Sequence, residues 1–154
     1  MRTRFSLLGL LLIFLSVVSV AQENEEYYIS KIVEYPFEEA TVKVKESLKE
    51  QQFGVITEID MHEKLSEKNP DFAIKPYRII GACNPAFAYE TLKVEENIGL
   101  FLPCKILVKQ IDENSSEIVM VNPSVLMKML GNDKLIPVAD EVTNRFKKAL
   151  DNIH

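Results

Sequence analysis

Beyond its N-terminal stretch, the chain switches between two rhythms of apolar and polar positions. Tyr27 to Glu34 alternates loosely, with Tyr28, Ile29, Ile32 and Val33 as its apolar members, and this predicts a first strand. At Pro36 the spacing lengthens. Phe37, Ala40, Val44 and Leu48 recur at helical intervals while Glu38, Lys43, Lys45, Glu46 and Lys49 take the other faces, so an amphipathic helix is expected with Pro36 at its first position. Phe53 to Asp60 returns to period two, which places Phe53, Val55, Thr57 and Ile59 on one face of a second strand whose start Gly54 loosens. The polar segment His62 to Asn69 supports no more than a short helix, which stops at Pro70.

Tyr77 to Cys83 predicts a third strand, with Ile79 and Ile80 on opposite faces and therefore buried on both sides. Asn84 is a good helix cap and Pro85 a good first helical residue, so a short helix should run from Pro85 to about Val94. Asn97 to Pro103 reads as an irregular apolar crossing. Cys104 to Ile111 and Ser116 to Val121 are two more strands, joined as a hairpin by the Asp, Asn and Ser of residues 112–115. A brief Met-rich helix follows Pro123 and ends at Gly131, and Pro137 opens a last helix with Val138, Val142, Phe146, Ala149 and Ile153 along one face. The resulting order is β-α-β-β-β-β-α with short helices between. An α+β fold satisfies it: a single, mostly antiparallel, curved sheet with the first and last helices packed on one face. Strands do not alternate regularly with helices, which argues against a doubly wound fold. The other face of the sheet must meet either solvent or a second copy.

The N-terminus is of another kind. Arg2 and Arg4 precede an apolar run from Leu7 to Val20, broken only by Gly9, Ser16 and Ser19, and Ser19 and Ala21 set small residues before Gln22. Signal-peptide cores run about 7 to 15 apolar residues, whereas a membrane span needs roughly 20, so residues 1–21 are expected to be a cleaved signal peptide. No cysteine near the cleavage point offers a lipid anchor, and a periplasmic or secreted location with no stable membrane anchor follows. Residues 22–26 form a polar, flexible acidic start, and 27–154 a single domain; about 130 residues remain after cleavage, near the commonest domain size. The composition, 47% hydrophobic and 27% charged, supports a packed core, and the net charge of -5 makes nucleic acid and anionic membranes poor partners.

Candidate chemistry centres on Cys83 and Cys104, in the segments Gly81-Ala82-Cys83-Asn84-Pro85 and Leu102-Pro103-Cys104. Two cysteines in an exported chain suit a disulfide, whose loop of about 20 residues would contribute roughly 3 kcal/mol. A sharper reading places Cys83 just before a helix N-terminus, where the partial positive charge favours a thiolate, either as a ligand for a soft metal such as Cu(I), assisted by Met120 or Met127, or as a redox nucleophile with Cys104 as resolving partner. Gly81 would then permit close approach of a ligand or of backbone. Zinc is poorly served, since His62 and the terminal His154 are the only histidines and no Cys-x-x-Cys spacing occurs. A Cys-His catalytic pair would need His62 to reach a cysteine. Glu38 with Glu39, and Glu95 with Glu96, are adjacent in sequence and read as solvated faces. Met127 and Met129 read as gap-filling core. Asn114-Ser115-Ser116 is a glycosylation sequon, relevant only in a eukaryotic secretory pathway.

Tyr77 to Pro85, then Ile98-Gly99-Leu100-Phe101-Leu102-Pro103-Cys104 and the strand after it, resemble the domain of unknown function 302 family. Gln52-Phe53-Gly54-Val55, Ile59-Asp60 and Asn122-Pro123 fit the same family, and the resemblance spans about Tyr28 to Leu150. It implies a compact β-α-β-β-β-β-α fold similar to TATA-binding-protein-like sheets, and a homodimer. It brings no established activity. The chain departs from the pattern at Lys105, where the family often has asparagine, and in its export signal, since many relatives look cytoplasmic. A cysteine pair that also occurs in reducing compartments favours a thiol or ligand site over a purely structural bridge. The reading reached from the sequence is an exported, dimeric binding or sensing module for an unknown small ligand, with its site at Gly81, Cys83, Asn84, Pro85, Pro103 and Cys104. A thiol-dependent redox protein and a disulfide-bridged structural protein are the alternatives.

Overall fold

The computed structural model describes residues 26–154. The expected signal peptide, its cleavage point and residues 22–25 lie outside them. Five strands, β1 (Tyr28–Val33), β2 (Gly54–Asp60), β3 (Tyr77–Cys83), β4 (Cys104–Gln110) and β5 (Ser116–Val121), form one antiparallel sheet in the order β1-β5-β4-β3-β2. The helices are α1 (Phe37–Glu50), α2 (Met61–Lys68), α3 (Pro85–Val94), α4 (Pro123–Leu130) and α5 (Ile136–Asp151), with tight 3-10 turns at Pro70–Phe72, Glu96–Phe101 and Asp133–Leu135. The α+β architecture with one open antiparallel sheet is thus the one expected from the hydrophobic rhythm. No described helix is long and apolar enough to cross a membrane.

The two long helices lie on one face of the sheet because their apolar stripes have nowhere else to go. Ala40, Val44 and Leu48 of α1 and Phe146 and Ala149 of α5 are fully buried against Ile80, Ile106, Val108, Ile118 and Met120, which period two turns to the same side. Polar bonds then fix the helices in place. Lys31 of β1 donates to the carbonyls of Leu150 and Ile153 at the end of α5, where a cation also meets the negative end of the helix dipole, and Ser47 of α1 donates to the carbonyl of Ala149. At the β2 edge, Arg78 donates to Asp60 and Glu38 and lies over the Phe37 ring. Burial pulls its basicity down, but those two bonds outweigh it and the guanidinium stays charged.

Three expectations need correction. Pro36 caps α1 from outside rather than occupying its first turn, since its ψ of 155° is extended and Phe37 is the first helical residue. The second strand does not keep one face. A bulge between Val55 and Thr57 pushes Ile56 out to solvent, so Val55 shares the helix-covered face with Ala82 while Thr57 and Ile59 pair with Gly81 and Ile79 on the open face. Finally, β3 is not buried on both sides: Ile80 is enclosed, whereas Ile79 is only half-buried on the open face.

Gly81 is required where β3 passes between its neighbours. A Cβ there would stand 2.2 Å from Thr57 Oγ1 and 2.6 Å from Pro103 Cγ, both inside van der Waals contact. The proline ring is rigid, so the strand rather than the ring must yield. Gly81→Ala is expected to destabilise the fold by about 2–3 kcal/mol in urea unfolding, with part of the loss recovered when Thr57→Ala is added.

Candidate functional site

Cys83 is the last residue of β3 and Cys104 the first of β4. The register sets Cys104 opposite Ala82, and Cys83 opposite Gly54 of β2. The two cysteines are therefore offset by one position of the register. Both are free thiols, half-buried.

Both line one pocket at the end of the sheet, walled by α3, the turn Glu96–Phe101, α4 and α5. Its lining is almost wholly apolar, with Phe53, Phe87, Ile98, Leu102, Met127 and Val142 prominent, and it holds about 60 Å³ of free space. The polar groups on the wall are already engaged. Asn84 Oδ1 accepts from the amides of Ala86 (3.0 Å) and Phe87 (3.3 Å), its Nδ2 donates to the Gln52 carbonyl (3.0 Å), and Thr91 Oγ1 donates to the carbonyls of Phe87 and Ala88. Among the described side chains of the lining, the two thiols remain as the uncommitted polar groups.

Burial governs their chemistry. It raises the Cys104 pKa from the usual thiol value near 9 to about 11; the neighbouring Cys83 adds to the rise and Lys105 opposes it. Burial also raises that of Cys83. Asn84 does cap α3 as expected, yet the thiolate expected from the helix N-terminus is not favoured, because loss of solvation outweighs the dipole at this position.

Of the six positions singled out from the sequence, Cys83, Asn84 and Cys104 lie on the pocket wall, while Gly81, Pro85 and Pro103 stand beside it. Pro85 is the first residue of α3, and Pro103, joined to Leu102 by a cis peptide, is the group that crowds Gly81. Of the methionines, Met127 is on the lining, Met120 is buried under the helices opposite Ile106, and Met129 is exposed. His62 does not join the cysteines. Its Nδ1 accepts from the Tyr77 amide at the far end of β3, about 20 Å of strand away from Cys83 at roughly 3.3 Å per residue, and its ring meets Phe37 edge-on. Glu38 is engaged by Arg78, and Glu95 accepts from the Asn97 amide. No group of three or more His, Cys, Asp or Glu capable of holding a metal occurs among the described residues. Phe53, Phe87, Thr91 and Val138 add to the wall from positions that carry no chemical signal in the sequence.

The family model for Domain of unknown function DUF302 matches residues 29–153. Among solved structures, the chain is similar to that of an uncharacterised conserved protein DUF302 from Bacillus stearothermophilus, with a TM-score of 0.75 and 30% identity over 83% of this chain and 98% of the other. A comparison with curated proteins gives no match.

The raised pKa of Cys104 has a thermodynamic counterpart. The folded state holds its proton more tightly than the unfolded chain, so this contribution is complete below about pH 9 and is lost as pH rises toward 11. Chemical denaturation of the wild type should show falling stability across that window, and Cys104→Ala should flatten the fall.

Proposed function

The chain belongs to the DUF302 family, and from that premise we propose that it is a small binding or sensing module, exported from the cytoplasm, whose ligand occupies the pocket walled by Cys83 and Cys104. One observation carries this reading: two free thiols face an otherwise apolar pocket whose other polar side chains are spent on backbone. The free space of about 60 Å³ opens to solvent and limits an occupant to a compact group. The ligand that suits it is compact and apolar, or presents a compact apolar end, and engages sulfur rather than hydrogen-bond donors. A charged or strongly hydrogen-bonding group would lose its hydration there without compensation.

The redox reading has less support. Thiol exchange runs through the thiolate, and burial holds both cysteines protonated at neutral pH. A soft-metal reading is favoured by one further observation, the thioether of Met127 on the same lining. Two sulfurs with a third nearby form a donor set soft enough for Cu(I), but each thiol must first release its proton.

Native and denaturing mass spectrometry of protein purified from its own compartment without reductant tests the main reading. The expected result is two free thiols with a retained ligand mass, lost in the cavity-filling Ala88→Leu and weakened in Cys83→Ser. A two-hydrogen deficit with no added mass, or a Cys83→Ser variant with unchanged binding and stability, overturns it. For the metal, Cu(I) titrated against a chromogenic chelator should bind about 100-fold more tightly per pH unit if two protons are displaced; binding that ignores pH rules out a two-thiolate site.

A further inference from the structure

The apolar surface of the pocket continues past its lining. Five lining residues reach toward solvent, Ala88 and Thr91 of α3, Phe101 and Leu102 after it, and Leu126 of α4, and together they edge the mouth. Further apolar side chains extend outward from them. On α3, Leu92 stands one turn beyond Ala88, and on α4 Met129 and Leu130 stand one turn beyond Leu126, so each falls on the same side of its helix as the lining residue before it. Leu100 adjoins Phe101. All of these rim residues are exposed, Leu100 at 84% and Met129 at 78%. Lys93 beside them is already engaged, paired with Glu90 at 3.0 Å and lying over the Tyr89 ring. Exposed apolar residues scattered singly need no account, but a group continuous with an apolar pocket marks a binding surface.

We infer that the occupant of the pocket is one end of a single-chain amphiphile, an alkyl or acyl chain of roughly eight to ten carbons whose remaining length lies on this rim and whose polar head stays in water. The inference rests on reading the pocket as a ligand site and adds the class of ligand. Two lengths set the chain. The free space of about 60 Å³, at about 15 Å³ for each water-sized group, takes about four carbons in line. From Ala88 to Leu92, and from Leu126 to Leu130, the rim adds about 6 Å at 1.5 Å per helical residue, enough for about four or five more carbons of an extended chain. A small compact molecule would leave that rim bare, and a lipid with two tails would exceed the inner space. No charged side chain stands on the lining among the described residues, so nothing inside the pocket draws the head inward.

Chemical-shift titration with n-alkyl maltosides of about four to about twelve carbons, each below its micelle concentration, reads the dependence on chain length. Affinity should climb about two- to fourfold per added carbon until roughly the tenth and then level off. Met129→Asp, and Leu92→Asp combined with Leu130→Asp, should each weaken the ten-carbon maltoside about tenfold or more and leave the four-carbon one unchanged, because only the longer chain reaches the rim. Thermal unfolding confirms that the variants are folded, and Met129→Asp, at the more exposed position, decides if the double variant is not. Ala88→Leu should weaken both maltosides, since it narrows their shared entry. A four-carbon maltoside that binds with no gain from added length, or a rim variant that holds the ten-carbon one like the wild type, overturns the chain inference and leaves the pocket reading standing. Length-dependent binding that survives Ala88→Leu places the chain elsewhere and also overturns it. Co-sedimentation with neutral phosphatidylcholine vesicles, without any gain from chain length, assigns the rim to a membrane surface instead. A protein that binds no maltoside of any length overturns the inference outright, while the retained ligand mass judges the pocket by itself.

Discussion

Asn84 spends its whole side chain on the backbone of other segments. Its oxygen holds the first free amides of α3 and its nitrogen holds the carbonyl of Gln52, so the end of β3, the start of α3 and the turn from α1 into β2 meet at one largely buried group. Gln52 has a positive φ of 66°, a conformation that a non-glycine residue keeps only where its surroundings hold it. Arg145 of α5 reinforces the junction by donating to the Gln51 carbonyl and to Gln52 Oε1 while lying over the Phe87 ring. The walls of the pocket are set by this junction, because Phe53 follows Gln52 and Phe87 belongs to the turn that Asn84 caps. Asn84 therefore acts on the site by building it, and its polar atoms are not available to a ligand.

Much of the fold was legible because its strong signals are local. Proline and asparagine at 84–85, the helical stripes of α1 and α5 and the hairpin at 111–116 each depend on neighbours within a turn or two, and each formed where the pattern placed it. The bulge at Ile56 was not legible, since it arises from how β2 pairs with β3 and a period-two string carries no mark of a skipped residue. The site divides in the same way. Its sulfurs and its cap stand out in sequence, while most of its wall comes from ordinary apolar residues of separate elements that only tertiary packing brings together. How Cys83 and Cys104 are set relative to each other was likewise a matter of register, which offsets them by one residue.

Two opposing effects act on Cys83, and their balance decides what the site can do. A helix N-terminus favours the thiolate, and an apolar enclosure favours the thiol; here the enclosure prevails. Protonated sulfur is a weak nucleophile but a polarisable, nearly apolar wall, which suits holding a ligand more than transforming one. The same protection slows exchange and oxidation of both thiols, since each begins from the thiolate.

The bulge in β2 has a consequence beyond redirecting side chains. As the last strand in the order, β2 exposes a row of unpaired backbone groups, the kind of edge on which sheets recruit further strands and grow into fibrils. With Ile56 thrown out of line, that edge lacks a continuous ladder for an incoming strand to extend. Solubility at high local concentration is thus guarded by an irregularity in the backbone, at the margin where a perfectly regular sheet would be most exposed to aggregation.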